Sequence, residues 1–184
     1  MSFDSEITIT CGAGELNEQV TESDIARIYD NYARPLYRYA LSITSSPDDA
    51  EDAVAEVFAR LAGEWKRIRK IRDLKTYLFA AVRNAAFSLL RSRRSRGNLE
   101  EAVILEFETQ CSSDEAPRIE RTILNEAFSA LPIEQREVLV LKVFDGMTFK
   151  EIAATTHTSI NTVASRYRYA LDRLRSALEV NDNE

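Results

Sequence analysis

No glycine or proline falls between Gly63 and Gly97, and none follows Gly146. The tight turns of a β-protein depend on those residues. The uninterrupted stretches are instead rich in Ala, Leu, Glu and Arg, which lose least on entering a helix. The chain is therefore expected to be all-α. Its 184 residues suit one medium domain or two small ones, and the breakers favour two small helical bundles joined by a flexible linker. Residues 1–20 are acidic and without a period, and read as a flexible tail. A first helical domain is expected over 21–97, an acidic linker over 98–118, a second helical domain over 119–179 and a short tail over 180–184.

Within the first domain, Ile25, Ile28, Tyr29, Tyr32, Leu36, Tyr39, Ala40 and Ile43 recur at spacings of three and four, the mark of an amphipathic helix. Pro35 should kink or split it, since proline removes a donor and clashes one turn back. Ser46-Pro47-Asp48-Asp49 can open the next helix, with Ser46 as cap. Ala50, Val54, Val57, Phe58 and Leu61 form its inner stripe, and Gly63 ends it. Trp65 to Arg72 reads as a basic loop. Asp73 then caps a helix whose inner face is Leu74, Tyr77, Leu78, Ala81, Val82, Ala85 and Leu89.

The linker carries Gly97, Ser112, Ser113 and Pro117 as breakers, yet Val103, Ile104, Leu105 and Phe107 leave room for a short docked helix. Beyond it, helices are expected near 119–130 and 134–144. Thr148-Phe149-Lys150-Glu151 is a capping box that opens a short helix. That helix fades at His157, and Ser159 caps the last one, whose inner stripe is Ile160, Val163, Tyr167, Leu171, Leu174 and Leu178.

The net charge of −6 argues by itself against a polyanion binder. The average conceals segregation: Glu64 to Arg96 holds eleven Lys or Arg and two acids, whereas Gly97 to Ser129 holds eight acids and two Arg. Such a layout suggests a local polyanion site beside regions that repel polyanions. In the basic stretch Lys75, Phe79, Arg83, Phe87 and Arg91 are spaced by four. Cations interleaved with rings suit single-stranded nucleic acid, though Phe79 and Phe87 themselves read more readily as core residues. Asn84 offers an amide to a base edge. In the helix before, Asp48, Asp49, Glu51, Asp52 and Glu56 crowd the first turns. Early acids favour a helix N-terminus, which accounts for Asp48 and Asp49 but not for Glu56. A docking face for a basic protein partner accounts for the whole cluster.

Short helix, brief turn, longer helix is the helix-turn-helix plan, in which the second helix enters the DNA major groove. Its outer positions, Asn161, Thr162, Ser165, Arg166, Arg168 and Tyr169, are of the right types. Arg can bond guanine through two hydrogen bonds, Asn can read adenine, and hydroxyls can hold a phosphate or a base edge.

An enzyme is a poor fit. His157 is the single histidine, and neither metal-ligand spacing nor a phosphate-cradling glycine loop is present. No metal and no cofactor is expected. Cys11 and Cys111 lie far apart in polar segments, which suits a reducing compartment. No apolar run approaches a membrane span, and the acidic start lacks a signal-peptide n-region, so a cytoplasmic protein is expected.

The motifs together resemble a known family. Asp48 to Phe58 resembles the core-binding helix of the extracytoplasmic-function (ECF) sigma factors of bacterial RNA polymerase. Tyr77 to Asn84 with the Arg91–Arg96 cluster resembles their promoter-melting helix, sigma region 2. Ala130-Leu131-Pro132, Arg136 to Leu139, Gly146, Glu151-Ile152-Ala153 and Thr162 to Arg166 are similar to their region 4. The resemblance implies transcription initiation by a chain that is not itself an enzyme. Asp48, Asp49, Glu51, Asp52, Glu56 and Phe58 would meet the clamp coiled coil of the polymerase β′ subunit. Arg67, Arg69, Lys70, Arg72, Lys75, Tyr77, Arg83, Asn84, Arg91, Arg93 and Arg94 would hold the minus-ten element. Thr148, Ser159, Asn161, Thr162, Ser165, Arg166, Arg168 and Tyr169 would read the minus-thirty-five element. Further implied partners are the β flap and an anti-sigma factor, with the free chain a monomer. The chain departs from the family pattern at Ala55, Tyr77, Ser88, Ala164 and Tyr169, and at His157, where the turn usually carries glycine. The alternative is a stand-alone dimeric helix-turn-helix regulator, which shares the C-terminal features but leaves the acidic and basic helices unexplained.

Overall fold

A computed structural model describes residues 22–95 and 118–181. The expected tail at 1–20 and most of the expected linker lie outside the described residues, as do Cys11 and Cys111. Eight helices make up the described part: α1 (Glu22–Thr44), α2 (Pro47–Gly63), α3 (Trp65–Ile68), α4 (Leu74–Ser95), α5 (Arg118–Ser129), α6 (Ile133–Val143), α7 (Phe149–Thr156) and α8 (Ile160–Asn181). Among the described residues there is no strand, and no helix is long and apolar enough to cross a membrane.

The helix starts follow the expected chemistry. Ser46 accepts a hydrogen bond from the Asp49 amide, with Pro47 in the first turn of α2. Asp73 Oδ1 accepts from the Thr76 amide at 2.9 Å. Thr148 and Glu151 close a complete capping box, the Thr148 N–H donating to Glu151 Oε2 at 2.6 Å. Ser159 Oγ accepts from the Thr162 amide at 3.1 Å.

Two expectations are corrected. Pro35 neither splits nor ends α1, which runs through it. The carbonyl that loses the Pro35 donor belongs to Asn31, an exposed residue, where water can take the donor's place. The basic Trp65–Arg72 segment is not all loop, because its first part forms the single turn α3, anchored by the buried Ile68.

Helices α1, α2 and α4 pack as a three-helix bundle around Leu36, Tyr39, Ile43, Val57, Leu61, Leu78, Phe79 and Val82. The Tyr39 and Phe79 rings meet at 5.5 Å. Phe79 is therefore a core residue. Helices α5 to α8 form the second unit, in which α8 packs on α5, α6 and α7. The two units share one continuous core, since α1 lies against α6 and α4 against α7. Helix α6 is consequently enclosed on nearly every side, and Arg136 to Leu141 are all buried. Two members of the expected inner stripe of α8 come out exposed, Ile160 at 49% and Leu171 at 39%.

Candidate nucleic-acid interface

Helix α7, the turn at 157–159 and α8 form the helix-turn-helix. His157 occupies the left-handed region at φ 54, and its N–H donates to Ala153 O to close α7. That conformation ordinarily suits glycine or asparagine. The Phe149 and Tyr167 rings meet edge-on at 5.6 Å and brace α7 against α8. With Val163 and Ala170 fully buried, the opposite side of α8 exposes Asn161, Thr162, Arg168 and Tyr169, with Ser165 and Arg166 half-buried. The Arg168 guanidinium lies 5.6 Å from the centre of the Tyr169 ring. Thr148 and Ser159 are exposed at the two helix starts. Of the eight residues expected to read duplex DNA, all but Ser165 and Arg166 are open to solvent.

The basic segment of the first unit divides in two. Arg67, Arg69, Lys70, Arg72, Asn84 and Arg91 are exposed. Lys75, Arg83 and Arg93 are engaged inside the protein. Lys75 Nζ donates to the Asp145 carbonyl at 2.6 Å. Arg83 donates Nε and Nη2 to the two oxygens of Glu137 at 2.9 and 3.2 Å, and its guanidinium covers the Phe87 ring at 4.6 Å. Arg93 Nε lies 3.0 Å from Asp49 Oδ2. Tyr77 is half-buried, and the side chain of Arg94 lies outside the described residues.

On α2, Asp48, Glu51, Asp52 and Glu56 are exposed, whereas Asp49 and Phe58 are not. Asp49 turns toward Arg93, and the Phe58 ring packs edge-on against Tyr29 at 4.9 Å. Four exposed carboxylates thus lie on α2, one of them, Glu56, paired with Arg60 of the same helix.

Two buried carboxylates were missed as sites from sequence, and both join the units. Glu137 of α6 is fully buried. Besides Arg83 of α4, it faces the Tyr39 hydroxyl of α1 at 3.4 Å and Arg166 Nη1 of α8 at 3.9 Å. Burial pushes its carboxyl above the ordinary range, while Arg83 and Arg166 pull the other way. Asp145, in the bend after α6, accepts from Arg38 Nη2 of α1 at 2.7 Å. Its pKa is raised from an ordinary 3.8 to about 6, chiefly by burial, against the pull of Arg38 and Lys75. The only available sequence signal was a pair of acids bordering apolar runs.

Asp145 yields a pH prediction. A carboxyl whose pKa is higher in the folded state binds its proton more tightly there, so its charge costs stability as pH rises through about 6. Relative to Asp145→Asn, the native protein should gain about 1 kcal/mol in denaturant-unfolding free energy as pH falls from about 7 to 5. Parallel pH profiles of the two proteins would contradict this.

Among the described residues no group of three His, Cys, Asp or Glu side chains gathers as a metal site.

Known proteins match both units. The family "Sigma-70 region 2" matches residues 28–96, and "Sigma-70, region 4" matches residues 121–174. The chain is 31% identical over 160 residues to the ECF RNA polymerase sigma factor SigL of Mycobacterium tuberculosis, covering 83% of this chain and 87% of that protein. It is 26% identical over 165 residues to the RNA polymerase sigma factor SigV of Bacillus subtilis, covering 90% and 97%. In fold it is similar to the sigma factor RpoE of Bartonella quintana, solved with the anti-sigma factor NepR, with a TM-score of 0.71, 24% identity, and coverage of 86% of this chain and 98% of that one. The region 2 match over the first unit removes the stand-alone helix-turn-helix regulator as an alternative. With both sigma regions matched in order on the two helical units, and SigL related along most of its length, the chain belongs to the extracytoplasmic-function sigma factors of the sigma-70 family.

Proposed function

We propose that the chain binds core RNA polymerase, directs it to promoters, helps open the minus-ten element and so starts transcription, while carrying no chemistry itself. Residues 21–97 serve as the region 2 domain, 98–118 as the linker and 119–179 as the region 4 domain. The observation that carries this reading is the separation of charge: exposed carboxylates on α2, exposed cations on α3 and α4, and exposed readers on α8. Asp48, Glu51, Asp52 and Glu56 meet the clamp coiled coil of the β′ subunit, and Asp49 and Phe58 support that helix from beneath. Arg67, Arg69, Lys70, Arg72, Asn84 and Arg91 track the minus-ten strand. Lys75 and Arg83 join them once Asp145 and Glu137 release them, which requires α6 and the bend after it to move off α1 and α4, and Arg93 joins once it leaves Asp49 of α2. Thr148, Ser159, Asn161, Thr162, Ser165, Arg166, Arg168 and Tyr169 address the minus-thirty-five duplex.

The partners are core polymerase, through the β′ clamp and the β flap, and promoter DNA. An anti-sigma protein is a further partner class, carried by both solved neighbours: RpoE with NepR, and CnrH with the cytosolic domain of CnrY. The free chain is a monomer acting in the cytoplasm, where its polymerase works.

In vitro transcription with core polymerase on a genomic promoter library tests the reading. Discrete start sites that need both the chain and core support it, and none on any promoter would end it. A narrower prediction concerns the docking face. Reversing Asp52 and Glu56 to Lys should weaken core binding at least about tenfold, since like charges would then oppose the basic partner surface. Unchanged affinity would remove α2 from the interface.

A further inference from the structure

The first turn of α8 presents an apolar side chain where only polar readers were expected. Ile160 is 49% exposed and sits between the exposed Ser159 and Asn161. Single exposed apolar residues are ordinary on protein surfaces; what sets Ile160 apart is its position. Side chains on a helix slant toward its N-terminus. At the first residue of α8 no earlier turn lies beneath the side chain, so it projects ahead of the helix. In a helix-turn-helix that leading end enters the major groove. Its neighbours are an amide able to pair with adenine and two hydroxyls already linked at 2.8 Å, Ser159 and Thr162.

An aliphatic group pressed into the major groove has one apolar partner there, the C5 methyl of thymine. Against cytosine it would instead cover the N4 amine and leave a buried donor unpaired. Against thymine it buries two apolar surfaces together. We propose that Ile160 is a specificity-determining residue that reads a thymine methyl in the minus-thirty-five element, beside the base pair addressed by Asn161. The inference rests on the promoter-reading assignment above and adds an apolar contact to its polar readers.

The test uses holoenzyme, the full chain with core polymerase, on a promoter that it transcribes. Each thymine of the minus-thirty-five element, on either strand, is replaced in turn by deoxyuridine, which removes only the methyl. At one thymine the wild-type holoenzyme should lose affinity about fourfold, the worth of one buried methyl-sized group. Ile160→Ala should bind thymine and uracil equally there, and Ile160→Val should keep most of the discrimination. Core binding and the thermal melt of Ile160→Ala should match wild type, because the side chain lies outside the core. Indifference of wild type to every replacement would overturn the proposal. So would an Ile160→Ala variant that keeps the wild-type thymine-to-uracil ratio, or a minus-thirty-five element without any A·T pair. Failure to initiate on any promoter would instead defeat the underlying promoter-reading assignment, so the two failures are distinguishable.

Discussion

Replacing Glu137 by Ala should destabilise the protein by about 3–5 kcal/mol, the usual cost of removing one partner from a buried ion pair. The expectation follows from geometry. Glu137 is fully buried, and the Arg83 side chain that bonds both of its oxygens is only 17% exposed. Without the carboxylate, the Arg83 charge stays in a poorly solvated site facing Tyr39, with no counter-ion. Urea denaturation measures the effect, and a loss under about 1 kcal/mol would show that the pair relaxes to solvent on its own. The double variant Glu137→Leu with Arg83→Met should recover most of the loss, because an apolar pair of similar volume avoids the desolvation that the ion pair bears. The contrast also separates the pair's cost from its purpose. Burial raises the Glu137 carboxyl above its ordinary range, so the site holds a charge that it does not favour. What this charge does is join α4, α1 and α8 through a single side chain.

Asn161→Asp combined with Arg168→Glu should abolish specific promoter binding by holoenzyme, with a loss of about a hundredfold or more. Each correct contact to a base edge is worth about 1–3 kcal/mol, and a carboxylate in its place also repels phosphate. Both side chains are exposed, so the fold should survive. Arg166 is the wrong residue for this test. Its Nη1 lies 3.9 Å from the buried Glu137, and a glutamate there would set two carboxylates together and unfold what it was meant to probe. Core affinity of the Asn161 and Arg168 variant should stay within about twofold of wild type. An equal fall in core binding would refute the division of labour between α2 and α8.

Much of this was legible in the residue order. The spacing of Leu36, Tyr39, Ala40 and Ile43 announced α1, and the Thr148 and Glu151 box announced α7. The chemistry of Asn161 and Arg168 pointed outward to a groove. These signals are local, since a helix pattern and a cap depend on residues within one or two turns. Other features were not local. Of the kink or split expected at Pro35 the split does not occur, since α1 continues through it, carried by packing on α2, α4 and α6. Ile160 and Leu171 kept the inner spacing of α8 and still face solvent, because α5, α6 and α7, the helices packed on α8, do not cover that flank.

Taken alone, the order of residues determined that the chain is helical, where most helices start, and which chemistry each stretch could offer DNA or polymerase. Tertiary packing alone decided which charges are on offer. Packing α6 between α1 of the first unit and α8 of its own turned Glu137 and Asp145 into buried anchors, drew Arg83 and Arg38 onto their carboxylates, and held Lys75 on the Asp145 carbonyl. The reason is solvation: a charge's role depends on the water it keeps, and that depends on residues far away in the chain.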